Sequence, residues 1–370
     1  MQTLRGPVMR VRRLLFLVLL GARPAWAHSV SNELAIGLYQ NSPSAPQGPY
    51  VADQLTFRFD LDDAWTLKLG GTYTYDGQTS PQQGEKFGTS SAQIVSAVGG
   101  LEWEATPRVD LYLDVSGSPS ASQRFGATIP PYEVQVQNAS SSVGTLLGVT
   151  YVIGGTEFLD TVIGGTALDV SAGWTLITTH QRVDAAVDPV TGSPVSGSVL
   201  MAICKAFPNT RGCKRLKPFL KGGTDSLNQF VLSLAVLQPV GSSTDLGLSA
   251  SVYVYDQDPL AASFFTSSAQ QLTSLGGGFP LAPQRWTISP TLEQRIGSWS
   301  IGPWYQFLQY ASDYGQAHVA GLRISVKLGT DWTVWLAGSL QWDLLNDPPP
   351  STGTSLLTSG RVALGFRARF

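Results

Sequence analysis

The last ten residues, Arg361 to Phe370, alternate without a fault: Val362, Leu364, Phe366, Ala368 and Phe370 share one face of an extended strand, and Arg361, Gly365, Arg367 and Arg369 share the other. One face suits lipid and the other suits water. The same two-residue period recurs upstream, as in Gln54 to Leu61, where Leu55, Phe57, Phe59 and Leu61 oppose Thr56, Arg58 and Asp60. In Trp65 to Tyr75, likewise, Trp65, Leu67, Leu69, Tyr73 and Tyr75 oppose Lys68, Thr72 and Thr74. A period of two over so many segments asks for sheet with one apolar and one polar face.

The other end of the chain reads as a leader. Arg5, Arg10, Arg12 and Arg13 precede the apolar run Leu14 to Leu20, and Ala25-Trp26-Ala27 has the small-x-small pattern of a signal-peptidase site, so residues 1–27 are expected to be removed and 28–370 to form one domain. Seven apolar residues ended by Gly21, Arg23 and Pro24 fall short of the ~20 that a spanning helix needs. Arg12-Arg13 hints at twin-arginine export, but a barrel that folds only in its membrane must cross unfolded, which favours general secretion. No Cys near the cut site offers a lipoprotein anchor.

Beyond the leader no stretch approaches 18 apolar residues, while Trp, Tyr and Phe number 10, 12 and 15 and Gly 39. That balance suits a membrane barrel; a large soluble β-sandwich is the alternative that hydropathy leaves open. Fourteen strand-like runs can be drawn, at about 31–39, 54–61, 65–75, 92–104, 109–116, 143–153, 167–181, 227–238, 244–256, 284–296, 299–312, 317–329, 332–344 and 360–370. An even count returns the C-terminus to the side of the N-terminus, with the short turns on that side and the long loops opposite. Loops are expected over about 117–142 and 182–226, and a turn where VIGGT occurs twice, at Val152 to Thr156 and Val162 to Thr166. Pro290 and Pro303 fall inside runs, where a closed barrel has no edge for them, so bulges or local twist are expected. Trp65, Trp103, Trp299 and Trp332 lie beside short turns and are placed in an interfacial girdle.

A closing strand of this pattern with an aromatic end resembles that of bacterial outer-membrane β-barrels. The resemblance implies an all-β, transmembrane, antiparallel up-and-down barrel of about fourteen strands in the outer membrane of a Gram-negative bacterium. It also implies that Phe366 and Phe370 are read by the barrel assembly machinery, and that the surroundings are outer-membrane lipids and lipopolysaccharide. The porin or small-solute channel type fits the whole mature length.

Alternation also sorts charge. Arg58, Lys68, Arg285, Arg295, Arg323, Lys327, Arg361, Arg367 and Arg369 are expected to face inward on one arc, and Glu102, Glu104, Asp110, Asp114, Asp169 and Asp245 on the opposite arc, with Asp60 and Glu293 as exceptions. Opposed charge across a water-filled pore resembles the transverse field of general porins and favours polar solutes. The alternative is a solvated lumen with structural ion pairs. Of 24 Lys and Arg, five leave with the leader, so against 26 Asp and Glu the mature chain carries a formal charge of −7, no footprint for nucleic acid.

The loop 182–226 holds both cysteines, Cys204 and Cys213, which in an exported chain are expected to form a disulfide; a metal site would need further ligands, and no His accompanies them. Around them Lys205, Arg211, Lys214, Arg215, Lys217 and Lys221 make a cationic loop that could contact lipopolysaccharide phosphates or draw anions to the mouth; the plainer reading is a solvated loop. Catalysis has no support: outer-membrane lipases and proteases lean on His or a close acid–nucleophile cluster, while His28, His180 and His318 stand apart from any such set. No cofactor or metal motif occurs, and Asn138-Ala139-Ser140 is a sequon without meaning in a bacterial envelope. A passive, non-enzymatic channel for small polar solutes is therefore the leading expectation. Uptake of hydrophobic compounds with lateral exit near Pro290 and Pro303, though without the N-terminal plug of fatty-acid transporters, stands next. A plugged structural or adhesive barrel that binds lipopolysaccharide through its cationic loop is the third.

Overall fold

The computed structural model describes residues 28–40, 48–76, 91–158, 161–210, 213, 219–259, 283–346 and 356–370. The expected leader, residues 1–27, lies outside the described residues. The chain runs through β1 (Ser29–Gln40), β2 (Gly48–Asp60), β3 (Trp65–Asp76), β4 (Ser91–Thr106), β5 (Val109–Ile129) and β6 (Tyr132–Ile153). A small hairpin follows, β7 (Thr156–Phe158) with β8 (Thr161–Ile163), then β9 (Thr166–Val187) and helix α1 (Gly197–Ala206). Then come β10 (Gly223–Val240), β11 (Thr244–Tyr255), β12 (Gln284–Ile296), β13 (Trp299–Tyr310), β14 (Gly315–Leu328), β15 (Trp332–Leu345) and β16 (Leu356–Arg369). All but β7 and β8 form one closed antiparallel barrel in chain order, so it has 14 strands.

The closure joins β1 to β16 from Ser29 opposite Arg369 to Gln40 opposite Thr358. That register sets Leu34 beside Leu364 and Ile36 beside Val362 on the outer face, and Ala35 beside Ala363 on the inner. Around the wall the outward positions are apolar and exposed, among them Leu69, Leu113, Leu147, Leu234, Val252, Leu322 and Leu336. The inward positions are small or polar and buried, among them Thr72, Ser96, Ser116, Thr175 and Gln229. This inside-out distribution has one stable solvent, lipid, because water gives no reason to expose that ring of leucines. Trp65, Trp103, Trp299 and Trp332 all face outward at the short-turn end, and Trp65 stacks on Trp103 with ring centroids 5.6 Å apart.

The short turns are built by local chemistry. Asp62 Oδ1 accepts from the backbone N–H of Ala64 and of Trp65, both at 2.8 Å, which turns β2 into β3. Asp62→Ala is expected to cost about 1 kcal/mol in a reversible unfolding titration; no loss would mean that the flanking tryptophans alone hold the turn. At the VIGGT duplication the expected plain turn is a two-stranded hairpin, Thr156 to Phe158 against Thr161 to Ile163. Arg108 secures its base by donating to the carbonyl of Gly154 at 2.6 Å.

The strands differ from expectation at the opposite end. The segment 117–142 is not a loop: β5 and β6 continue through it as a hairpin whose tip is the dipeptide Pro130-Pro131. β9 continues alongside, to Val187. Ser116 to Ser122 and Asn138 to Ser142 are small and polar, so they carry no apolar alternation, and above a membrane none is required. Against the inner face of this extension pack α1 and the segment after it. Leu200, Cys213 and Phe219 are buried on Ile129, Val134, Val136 and Ala186, and a disulfide joins Cys204 to Cys213 with a Cα–Cα distance of 5.2 Å. The loop is thus a small folded cap on the same sheet face that lower down bounds the lumen. Lys205 and Lys221 are exposed on it; Arg211, Lys214, Arg215 and Lys217 lie outside the described residues.

The prolines do not bulge the wall. The register shift on β12 is at Gln284/Trp286, whereas around Pro290 and Pro303 the register of β12 with β13 is kept and the pairing lapses. Thr291 pairs with Trp304, and Ile288 with Phe307, but no pairing joins Ser289, Pro290, Leu292 or Glu293 to β13. A proline has no N–H to give, so two of them on facing strands thin the ladder without shifting it.

Candidate functional site

Behind that lapse lies a cavity of about 640 Å³ inside the barrel, lined by β10 to β16 and β1. Its rim of hydroxyls, including Ser251, Thr287, Ser289, Thr291, Ser325 and Thr333, follows from the inward alternation of these strands. Two indoles give it apolar walls. Trp335 lies on Gly365 of β16, and Trp304 on Gly321 of β14, and a Cβ at either glycine would collide with the ring. Each tryptophan therefore lies flat along the wall and leaves the lumen open. On the far wall Tyr112 lies in the same way on Gly148. The cavity also touches Leu292 and Pro303, whose side chains alternate to the outer face, at the level where β12 and β13 part.

The charges expected to face inward are distributed in two ways. Several pair locally: Arg58 with Glu102 at 2.7 Å, Lys68 with the same Glu102, Arg295 with Asp245, and Arg361 with Glu33 at 3.1 Å. Asp169 accepts from the Tyr112 hydroxyl at 3.1 Å and from Thr150 at 2.9 Å. Arg323 and Arg367 make no ion pair among the described residues and line the cavity. The Arg323 guanidinium lies 4.3 Å from the centroid of the Trp335 ring. Asp110 and Asp114 on β5 stand seven places from Arg323 round a ring of 14 strands, directly opposite, and Asp169 on β9 stands likewise opposite Arg367. Glu104 and Lys327 are exposed near the short-turn end. Arg285 sits at the register shift of β12 and is not among the residues that line the cavity.

The histidines lie apart from this chamber. His180 shares a hydrogen bond with Thr224, and His318 faces outward, 2.6 Å from the Tyr305 hydroxyl and edge-on to Phe307. Among the described residues no three His, Cys, Asp or Glu side chains are placed to hold a metal. Phe366 packs on Trp332 with centroids 5.9 Å apart, and Phe370 ends the closing strand exposed, its N–H donating to the carbonyl of His28.

Of the charges expected to face inward, Asp245, Arg323, Arg361 and Arg367 line the chamber, and sequence reasoning does not reach the rest of it. Glu33, Trp304 and Trp335 were not singled out, because a tryptophan's role here depends on which glycine it meets across the ladder, and register is not written in one strand. The one signal within reach was that Trp304 and Trp335 fall on the polar phase of their strands, against the girdle tryptophans.

The chain matches no known family model and no curated protein. Solved structures do share its fold. A FadL homologue of Pseudomonas aeruginosa is similar with a TM-score of 0.55 at 11% identity, over 92% of this chain and 89% of that one. The toluene transporter TbuX of Ralstonia pickettii gives 0.56 at 11%, over 94% and 90%, and the toluene transporter TodX of P. putida 0.51 at 12%, over 94% and 91%. The fold is that of outer-membrane β-barrels. The likeness spans nearly the whole length of each chain, and in this one it is carried by 14 antiparallel strands that close into a barrel. The short turns, His28 and Phe370 share one end of the barrel, and the disulfide-bonded cap stands at the other.

Proposed function

We propose that the barrel is a channel for small hydrophobic compounds, which enter the lumen from outside and leave sideways, between β12 and β13, into the membrane. The observation that carries this reading is the coincidence of the indole-walled cavity with the lapse in the wall: Trp304 and Thr291 bound the cavity at the point where Leu292 and Pro303 connect it to the outer face. The likeness in fold to proteins named as toluene transporters supports it. A general pore for polar solutes is the weaker reading, since Arg58, Lys68, Arg295 and Arg361 pair locally with acids and contribute little to a field across the lumen. An apolar solute gains by moving along flat aromatic walls and finally into lipid, and it needs no aqueous exit.

The test is the double variant Pro290→Val/Pro303→Val, which returns an N–H and a β-branched side chain to each strand. In vesicles with a lipopolysaccharide outer leaflet, toluene uptake is expected to fall toward that of protein-free vesicles while single-channel conductance stays that of the parent. Undiminished uptake would remove the lateral exit; absence of uptake by the parent protein would remove the channel.

A further inference from the structure

We infer that Arg323 and Arg367, set beside the indoles of Trp304 and Trp335, form a binding station for the carboxylate of a small aromatic acid, so that the cavity takes aryl carboxylates as well as neutral hydrocarbons. The inference rests on the channel reading above and names its substrate class. Three observations converge on one wall of the cavity.

First, neither guanidinium group makes an ion pair among the described residues. Arg361 is taken by Glu33, and the Glu33 carboxylate also accepts from Trp335 Nε1 at 3.0 Å. Of the other acids that line the cavity, Asp245 is held by Arg295, which leaves Glu293 on β12. Two arginines with no ion pair among the described residues thus face one acid two strands away from Arg323. An arginine in a confined lumen gains most from a planar anion that takes two parallel hydrogen bonds.

Second, an aromatic surface adjoins the charge. Arg323 lies over the Trp335 ring, the ring lies flat on Gly365, and Trp304 lies flat on Gly321 of the same strand as Arg323. A carboxylate with no ring would use only the arginines and a hydrocarbon only the indoles; an aryl carboxylate uses both. The hydroxyls of Ser325 and Thr333 in the same lining suit the carboxylate oxygens left over.

Third, the opposite wall is acidic. Asp110 and Asp114 on β5 stand seven strands from Arg323, and Asp169 on β9 seven from Arg367. An anion in the lumen is pushed from that wall and drawn to this one, so an amphiphile is turned with its carboxylate toward β14 and β16 before it makes contact.

Benzoate and toluene are the probes, because they share a ring and differ in the charged group. In vesicles with a lipopolysaccharide outer leaflet, the parent chain is expected to pass benzoate as well as toluene. Arg323→Gln should lower the benzoate-to-toluene ratio about tenfold, the loss of one charge-assisted contact, and Arg323→Lys should restore the ratio in part, since it returns the charge without the planar fork. Retarded electrophoretic migration of the unheated sample shows that each variant has folded. A ratio that is the same in parent and Arg323→Gln, with toluene still passing, overturns the carboxylate station and leaves the channel reading standing. If neither probe passes, both readings fall.

Discussion

Leu234→Arg is expected to destabilise the barrel by about 2–4 kcal/mol, the cost of an arginine on the lipid face near the middle of the bilayer. Leu234 is exposed on the outer face of β10, with Ala250 and Val170 as its neighbours on β11 and β9. It lies six positions from the strand's short-turn end at Val240, which puts it about 15 Å up an apolar band about 25 Å tall. The residue before it makes the control. Ser233 faces inward, bonded to Ser251 at 2.8 Å, and Ser233→Arg places the same guanidinium in a polar lumen at the same height, for a cost below about 1 kcal/mol. Urea titrations of both variants in lipid vesicles measure the difference. Equal costs would mean that the two faces do not meet different solvents, and the outer-membrane assignment would fall.

The second large effect concerns the cap. Cys204 and Cys213 close a short loop, and loss of such a crosslink releases about 3 kcal/mol of chain entropy to the opened state. Cys204→Ala/Cys213→Ala should therefore raise the population of open cap about a hundredfold, read as faster cleavage by a protease added outside sealed vesicles. The strands within the membrane should stay resistant, since the cap packs on the extension of β5, β6 and β9 beyond it, through Ile129, Val134, Val136 and Ala186. An unchanged cleavage rate would assign the cap's stability to Leu200 and Phe219 on Ile129, Val134 and Val136 alone.

Lipid is the reason that so much of the wall was legible in the sequence. It demands an apolar residue at every second position, so the strands inside the membrane announce themselves: Leu55 to Leu61 and Val362 to Phe370 show the rule, and the count of 14 follows. Where the strands leave the membrane the demand ends. Ser116 to Ser122 and Asn138 to Ser142 are as much strand as the rest, yet they read as loop. At the two prolines the expected bulge is absent: a missing N–H says that a ladder is weakened, and whether the register then slips depends on the neighbours that hold it, here β11 and β14. Inward charge was legible as phase, but its partners were not. Arg58 and Lys68 converge on one Glu102 because β2, β3 and β4 bring them level, a relation that alternation within each strand does not contain.

The extension of β5, β6 and β9 gives the molecule a tall side. β6 and β9 have 22 residues each, about 70 Å along the strand, whereas crossing the bilayer takes about 9–11 residues. On nearly the opposite side of the ring, β13 and β14 are joined by only four residues, 311–314. Among the described residues the wall is therefore uneven: it rises at β5, β6 and β9 and stops short where β13 turns into β14, next to the seam between β12 and β13. On the channel reading proposed above, the short side and the lateral exit would share one flank, so that shortening β5 and β6 from their Pro130-Pro131 tip should leave passage untouched.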